Sequence, residues 1–181
     1  MSRIAAGEFA EMSAPLLRFT EAKYLFEQFK SARNAEVNYG LFLLTAYFDS
    51  LLFCLVSVEE MVDESARKNL RSIKSFLFLK ALRNITTHHS VLSGVKGKFP
   101  RPVSRIVSVG VGCRPEFSEQ FVLIPERLRE IFDKILAERR GEKHTLQGAR
   151  EYLDQLEASG TRIMLVDTVQ SAIAEIEPHV A

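Results

Sequence analysis

Between Leu16 and Phe99 the chain contains no proline, and Gly40 is its only glycine before Gly94. A stretch this long with one potential breaker favours long helices over turns and short strands. Three helices are legible in it. The first runs from about Pro15, after Ser13, to Ser31, with Leu17, Phe19, Tyr24, Leu25, Phe26 and Phe29 on an apolar side. The second starts after Asn34, whose side chain suits an N-cap, and continues to about Met61. Glu59, Glu60 and Asp63 oppose the dipole at its C-terminal end, which favours a stop there. The third spans roughly Ser65 to Leu92, with Leu70, Ile73, Leu77, Ala81, Ile85 and Leu92 recurring at helical spacing, and Gly94 supplies its cap.

Beyond Gly94 the texture changes. Gly94 to Pro102 is a loop with Gly97, Pro100 and Pro102. Arg105 to Val111 alternates like a strand, and Gln120 to Ile124 is its expected hairpin partner. Pro125 suits the first turn of a helix with Leu128, Ile131, Phe132, Ile135 and Leu136 on one side. Thr145 to Ser159 follows as another amphipathic helix stopped by Gly160, and Arg162 to Val166 reads as a third short strand. Asp167 and Gln170 have capping-box spacing, which starts the last helix at Thr168 and runs it to Ile176. The expectation is a mainly α single domain over 1–181, a bundle of long antiparallel helices with a small β hairpin inserted after the third. Residues 13–93 form the helical core with the motif discussed below, 94–124 the basic loop and β hairpin, and 125–181 the C-terminal helices.

Of 181 residues, 46% are apolar and 26% charged, which excludes a disordered or collagen-like chain. Cys54 and Cys113 are too few for a disulfide framework or a metal knuckle, and suit a reducing compartment. Leu41 to Val58 is apolar enough to suggest a membrane span, but Asp49 lies at its centre. A carboxylate there costs about 2.5–3.5 kcal/mol on insertion scales, so a buried central helix is expected instead. Met1 to Ser13 has no apolar signal-peptide core. These features lead to an expectation of a cytoplasmic protein with no membrane partner.

The formal net charge of +1 conceals an asymmetry. Residues 1–63 carry 5 basic and 9 acidic side chains, residues 64–114 carry 11 and 1, and residues 115–181 carry 8 and 13. The middle block is thus net +10 between flanks of −4 and −5. On the third helix, pairing with the acidic flanks is as expected as a binding role. The loop is different: Lys96, Lys98, Arg101 and Arg105 precede any acid until Glu116, which suits contact with an RNA phosphate backbone.

Ser–His–Asp order, a Gly-rich phosphate loop, paired acids at ligand spacing and H-E-x-x-H are all missing from the sequence. One segment has the residues for chemistry: Leu82-Arg83-Asn84-Ile85-Thr86-Thr87-His88-His89. Adjacent histidines on a helix point about 100° apart and no nearby carboxylate or thiol completes a shell, so neither metal nor other cofactor is expected. Acid–base work on a phosphodiester fits better. Histidine titrates near neutrality, arginine forks onto phosphate oxygens and can stabilise a developing phosphorane, and asparagine can orient either. A second pair with similar spacing, Arg139 and His144, flanks Gly141 in a charged turn and lacks the asparagine. The alternative role for Arg83 and His88 is an interhelical ion pair with capping of the helix end.

Arg83-Asn84-x-x-x-His88 resembles the R-N-x-x-x-H form of the signature of the HEPN superfamily, an arginine and a histidine separated by four to six intervening residues. The resemblance implies a helical bundle and, for many members, a metal-independent endoribonuclease in toxin–antitoxin, phage-defence or CRISPR systems. It carries Arg83, Asn84 and His88 over as catalytic residues. His89 satisfies the same signature with a longer gap, and both histidines remain candidates. Residues five apart on a helix lie about 140° apart around its axis, so one helix cannot aim both at one small target. Either the helix distorts near Thr86 and Thr87, or two copies form one groove. The resemblance implies the latter, a homodimer with a composite site, acting on RNA by 2′-OH attack and associated with an antitoxin protein. A non-catalytic dimeric module that binds RNA, a nucleotide or a partner protein is the alternative. Asp49, costly in an apolar helix unless partnered, is expected to pair with Arg83 or a third-helix lysine, or else to orient the histidine.

Overall fold

A computed structural model of the chain describes residues 11–31, 37–86, 104–108, 117–138, 140–160 and 163–180. These residues are mainly helical. Seven α-helices are present among them: α1 (Ala14–Ser31), α2 (Val37–Met61), α3 (Glu64–Ser72), α4 (Lys74–Thr86), α5 (Pro125–Glu138), α6 (Lys143–Ala158) and α7 (Leu165–Ile176). Strands β1 (Ser104–Ser108) and β2 (Phe117–Leu123) pair antiparallel between α4 and α5, with Arg105 opposite Val122 and an irregularity between Ile106 and Ser108.

Helix α1 packs along α2 through Phe19, Ala22, Phe26 and Phe29, all buried at spacings of three and four. Phe29 meets Phe48 of α2 in a tilted pair with ring centroids 5.5 Å apart. Tyr24, expected on the apolar side, is instead 53% exposed, because the buried stripe passes through positions 22 and 26 on either side of it. Helix α4 is the other centre of the fold and contacts α2, α3, α6 and α7. Ser75 through Leu79, with Ala81 and Leu82, are all buried, so it has neighbours on several sides rather than one. Buried Ser75 is satisfied by donating its hydroxyl to Glu175 Oε2 of α7, at 2.7 Å.

Two expectations about element boundaries are corrected. The third helix is two helices. Ile73 is extended (φ −81°, ψ 112°); its N–H donates to the Leu70 carbonyl and its own carbonyl accepts from Leu77 N–H, so it ends α3 and begins α4. The expected continuation to Leu92 lies outside the described residues. The last helix begins at Leu165 after Met164, with Asp167 inside its first turn, where a negative charge suits the dipole without capping it. That leaves little room for a strand at Arg162 to Val166, although Leu123 N–H donates to the Ile163 carbonyl at 2.9 Å and ties β2 to this segment. Among the described residues no helix is long and apolar enough to cross a membrane.

Candidate nucleic-acid interface

The described part of the motif sits on α4. Ala81, Leu82 and Ile85 face the core, leaving Arg83 and Asn84 half-buried beside it. The Arg83 guanidinium carbon lies 6.0 Å from the centroid of the Phe53 ring on α2, within cation–π range. Its Nη1 reaches Asn84 Oδ1 at 3.4 Å, a long contact, while Asn84 Nδ2 donates to Glu142 Oε2 at 2.9 Å. Glu142 belongs to the short 3-10 turn Arg140–Glu142 that leads into α6. Side-chain contacts therefore run from the Phe53 ring of α2 through Arg83 and Asn84 of α4 to Glu142 at the start of α6.

Asp49 is one turn before Phe53 on α2. Its Oδ1 is buried with no hydrogen-bond partner among the described residues, and burial pushes its carboxyl up to about 6. None of the third-helix lysines is paired with it. Lys68 lies against Glu64 at 3.7 Å, Lys74 against Glu151 at 3.0 Å, and Lys80 against Glu59 at 2.5 Å. Pairing of Asp49 with these lysines is thus not what the fold provides.

Of the other expected site residues, His88, His89, Lys96, Lys98 and Arg101 lie outside the described residues. Arg105 lies on β1, and its side chain is outside what is described. Of the basic charges on α3 and α4, Arg71, Lys74 and Lys80 pair with the acidic flanks, while Arg67 and Lys68 lie against Glu64 of their own block. Arg67 contacts Glu64, and Arg71 Nε donates to Glu59 Oε1 at 2.6 Å, so all five basic residues before Arg83 are ion-paired. Glu59, only 3% exposed, also takes Lys80 and anchors α3 and α4 to the end of α2. Burial alone would raise its carboxyl, but hydrogen bonds and charge from Lys80 and Arg71 outweigh this and hold it below the usual range.

Among the described residues no group of three or more His, Cys, Asp or Glu is arranged to hold a metal. An open groove of about 730 Å³ against α6 is lined by Leu136, Lys143, Gln147, Arg150, Glu151 and Asp154. Most of its charges are committed elsewhere: Arg150 to Asp133, Glu151 to Lys74 and Asp154 to Arg129. It offers no convergent set of polar groups.

Sequence reasoning missed Phe53 and Glu142. In an apolar run, periodicity does not separate the ring that faces solvent from those that face the core. Glu142 is far from the motif in sequence, and no local signal links it to Asn84. No protein-family model, curated protein or solved structure matches the chain.

Proposed function

We propose that this protein is a HEPN-like, metal-independent endoribonuclease of a toxin or defence-type system, built as a helical bundle with a small β hairpin after the motif helix. The observation that supports it is the setting of Arg83. A half-buried guanidinium lies over an exposed aromatic ring and beside Asn84, at the end of the described part of the helix that leads toward His88 and His89. An arginine so placed can hold a phosphate while keeping its cation–π contact with the ring.

In this reading the RNA 2′-OH attacks the adjacent phosphorus. His88 or His89 accepts its proton as general base, and Arg83 offsets the negative charge of the phosphorane. Asn84 orients Arg83 or a phosphate oxygen. A second group protonates the departing 5′ oxygen, giving a 2′,3′-cyclic phosphate end and a 5′-OH end. Two copies of the helix form one groove, Lys96, Lys98, Arg101 and Arg105 guide the RNA backbone, and an antitoxin protein holds the activity in check.

Incubating the full chain with single-stranded RNA in EDTA tests this. Cleavage to cyclic-phosphate ends is expected, falling roughly 10²- to 10⁴-fold in Arg83→Ala and in whichever of His88→Ala and His89→Ala removes the base. Undiminished cleavage in Arg83→Ala, or in both histidine variants, would reject the assignment.

The second reading, a non-catalytic dimeric module, is favoured by one observation. Asn84 already donates to Glu142, which gives it a structural task. Retention of intact RNA, unaffected by His88→Ala, is the outcome it requires.

A further inference from the structure

We infer that Phe53 is a nucleobase-stacking residue, so that the Arg83 site grips single-stranded RNA by a base as well as by a phosphate. This rests on the reading of Arg83 as a phosphate-binding group. Leu51, Leu52, Cys54 and Leu55 around Phe53 in sequence are all buried, yet Phe53 is 52% exposed. An isolated exposed apolar side chain is ordinary on a protein surface, so exposure alone selects nothing. The neighbour makes the selection. Arg83 lies over one face of the ring, 6.0 Å from its centroid, so the base stacks on the other face with a permanent cation within one nucleotide's reach.

A nucleotide has the matching pair of parts, a flat π-faced base and an anionic phosphate. Aromatic side chains and arginine planes are what single-stranded RNA uses for stacking. An apolar peptide would cover Phe53 but give Arg83 no task, and a simple anion would engage Arg83 without the ring. The platform does not require Arg83 to be otherwise unoccupied, because a guanidinium carries five N–H donors and can keep an existing partner. Because every base has a π-face, binding at Phe53 tolerates sequence, and the site cleaves by access to single-stranded RNA more than by base identity.

The test uses the full chain and a fluorescently labelled, 2′-O-methylated single-stranded oligonucleotide, which lacks the attacking hydroxyl and stays intact. Affinity is measured by anisotropy at several salt concentrations, with light scattering on the same samples. Phe53→Ala is expected to weaken binding roughly 5- to 150-fold with the salt slope unchanged, and Phe53→Trp to restore it. Arg83→Ala is expected to weaken binding and flatten the salt slope by about one phosphate contact. Wild-type affinity in Phe53→Ala, alongside lost binding in Arg83→Ala, overturns the stacking role and leaves the phosphate role standing. A Phe53→Ala protein that loses affinity only by becoming monomeric also overturns it, since the ring then belongs to an interface between copies. Failure of the wild type to bind overturns both readings together.

Discussion

A carboxyl group with a buried oxygen and no donor to satisfy it is least comfortable when ionised, and Asp49 is in that position. Its folded-state value of about 6 lies above the ordinary 3.8, so the folded protein holds this proton more tightly than the unfolded chain does. The associated stability is complete below about pH 4 and is lost as pH rises through 6. Asp49→Asn should therefore melt like the wild type at pH 4 and at higher temperature than the wild type at pH 8. A lower melting temperature for the variant at pH 8 would mean that the charged carboxylate has a stabilising partner. Activity lost in a variant that is fully stable would instead assign Asp49 to orienting the histidine. The same helix shows how much a residue's surroundings decide: Asp49 and Phe53 are one turn apart, one with a buried oxygen and the other open to solvent.

At the scale of elements, α4 and α6 approach closely at Gly148. A Cβ added at Gly148 would stand 2.3 Å from Leu77 Cδ1 and 3.3 Å from its Cβ and Cγ. Alanine has the better helix propensity, by up to about 1 kcal/mol, but overpacking a filled site costs about 1–3 kcal/mol. Leu77 is buried and its Cβ and Cγ as well as its Cδ1 crowd the added atom, so the clash is expected to outweigh the propensity. Gly148→Ala should lower stability in chemical denaturation, and its effect should be less than additive with that of Leu77→Ala, which removes the atoms it strikes. A stabilised Gly148→Ala would show that the two helices have slack. Nothing in the local sequence marks Gly148 as a contact glycine, because it sits within an ordinary amphipathic pattern. The division of the third helix at Ile73 is equally unmarked, since no proline or glycine lies there.

At the scale of the whole molecule, the charge blocks are arranged to meet. The acidic end of α2 lies against the basic α3 and α4, with Glu59 bonded to Arg71 and Lys80, while Glu151 on α6 takes Lys74. Glu59→Gln should destabilise the protein by roughly 1–3 kcal/mol at pH 7, because two cations lose their anionic partner and one of them meets an amide NH2 that cannot accept. Half-exposed Arg71 keeps part of its hydration and limits the loss. Since the Glu59 carboxyl is held below its ordinary range, its contribution is present above the unfolded value and is lost as pH falls through the folded one. The deficit of the variant should thus shrink in acid. A deficit that is constant with pH would assign Glu59 a packing role alone.

The helical class of this chain, the approximate spans of α1, α2, α5 and α6, and the buried stripe of α5 were legible from residue order, because helix propensity, proline exclusion and three-to-four spacing act within a single element. The motif Arg83-Asn84 was legible for the same reason: its residues are neighbours in sequence. Phe53 beside Arg83, Glu142 against Asn84, the exposure of Tyr24 and the matching of the basic helices to distant acids were settled only in three dimensions. Each depends on which remote segment comes to lie alongside, and burial and ion pairing are properties of that neighbour as much as of the residue itself.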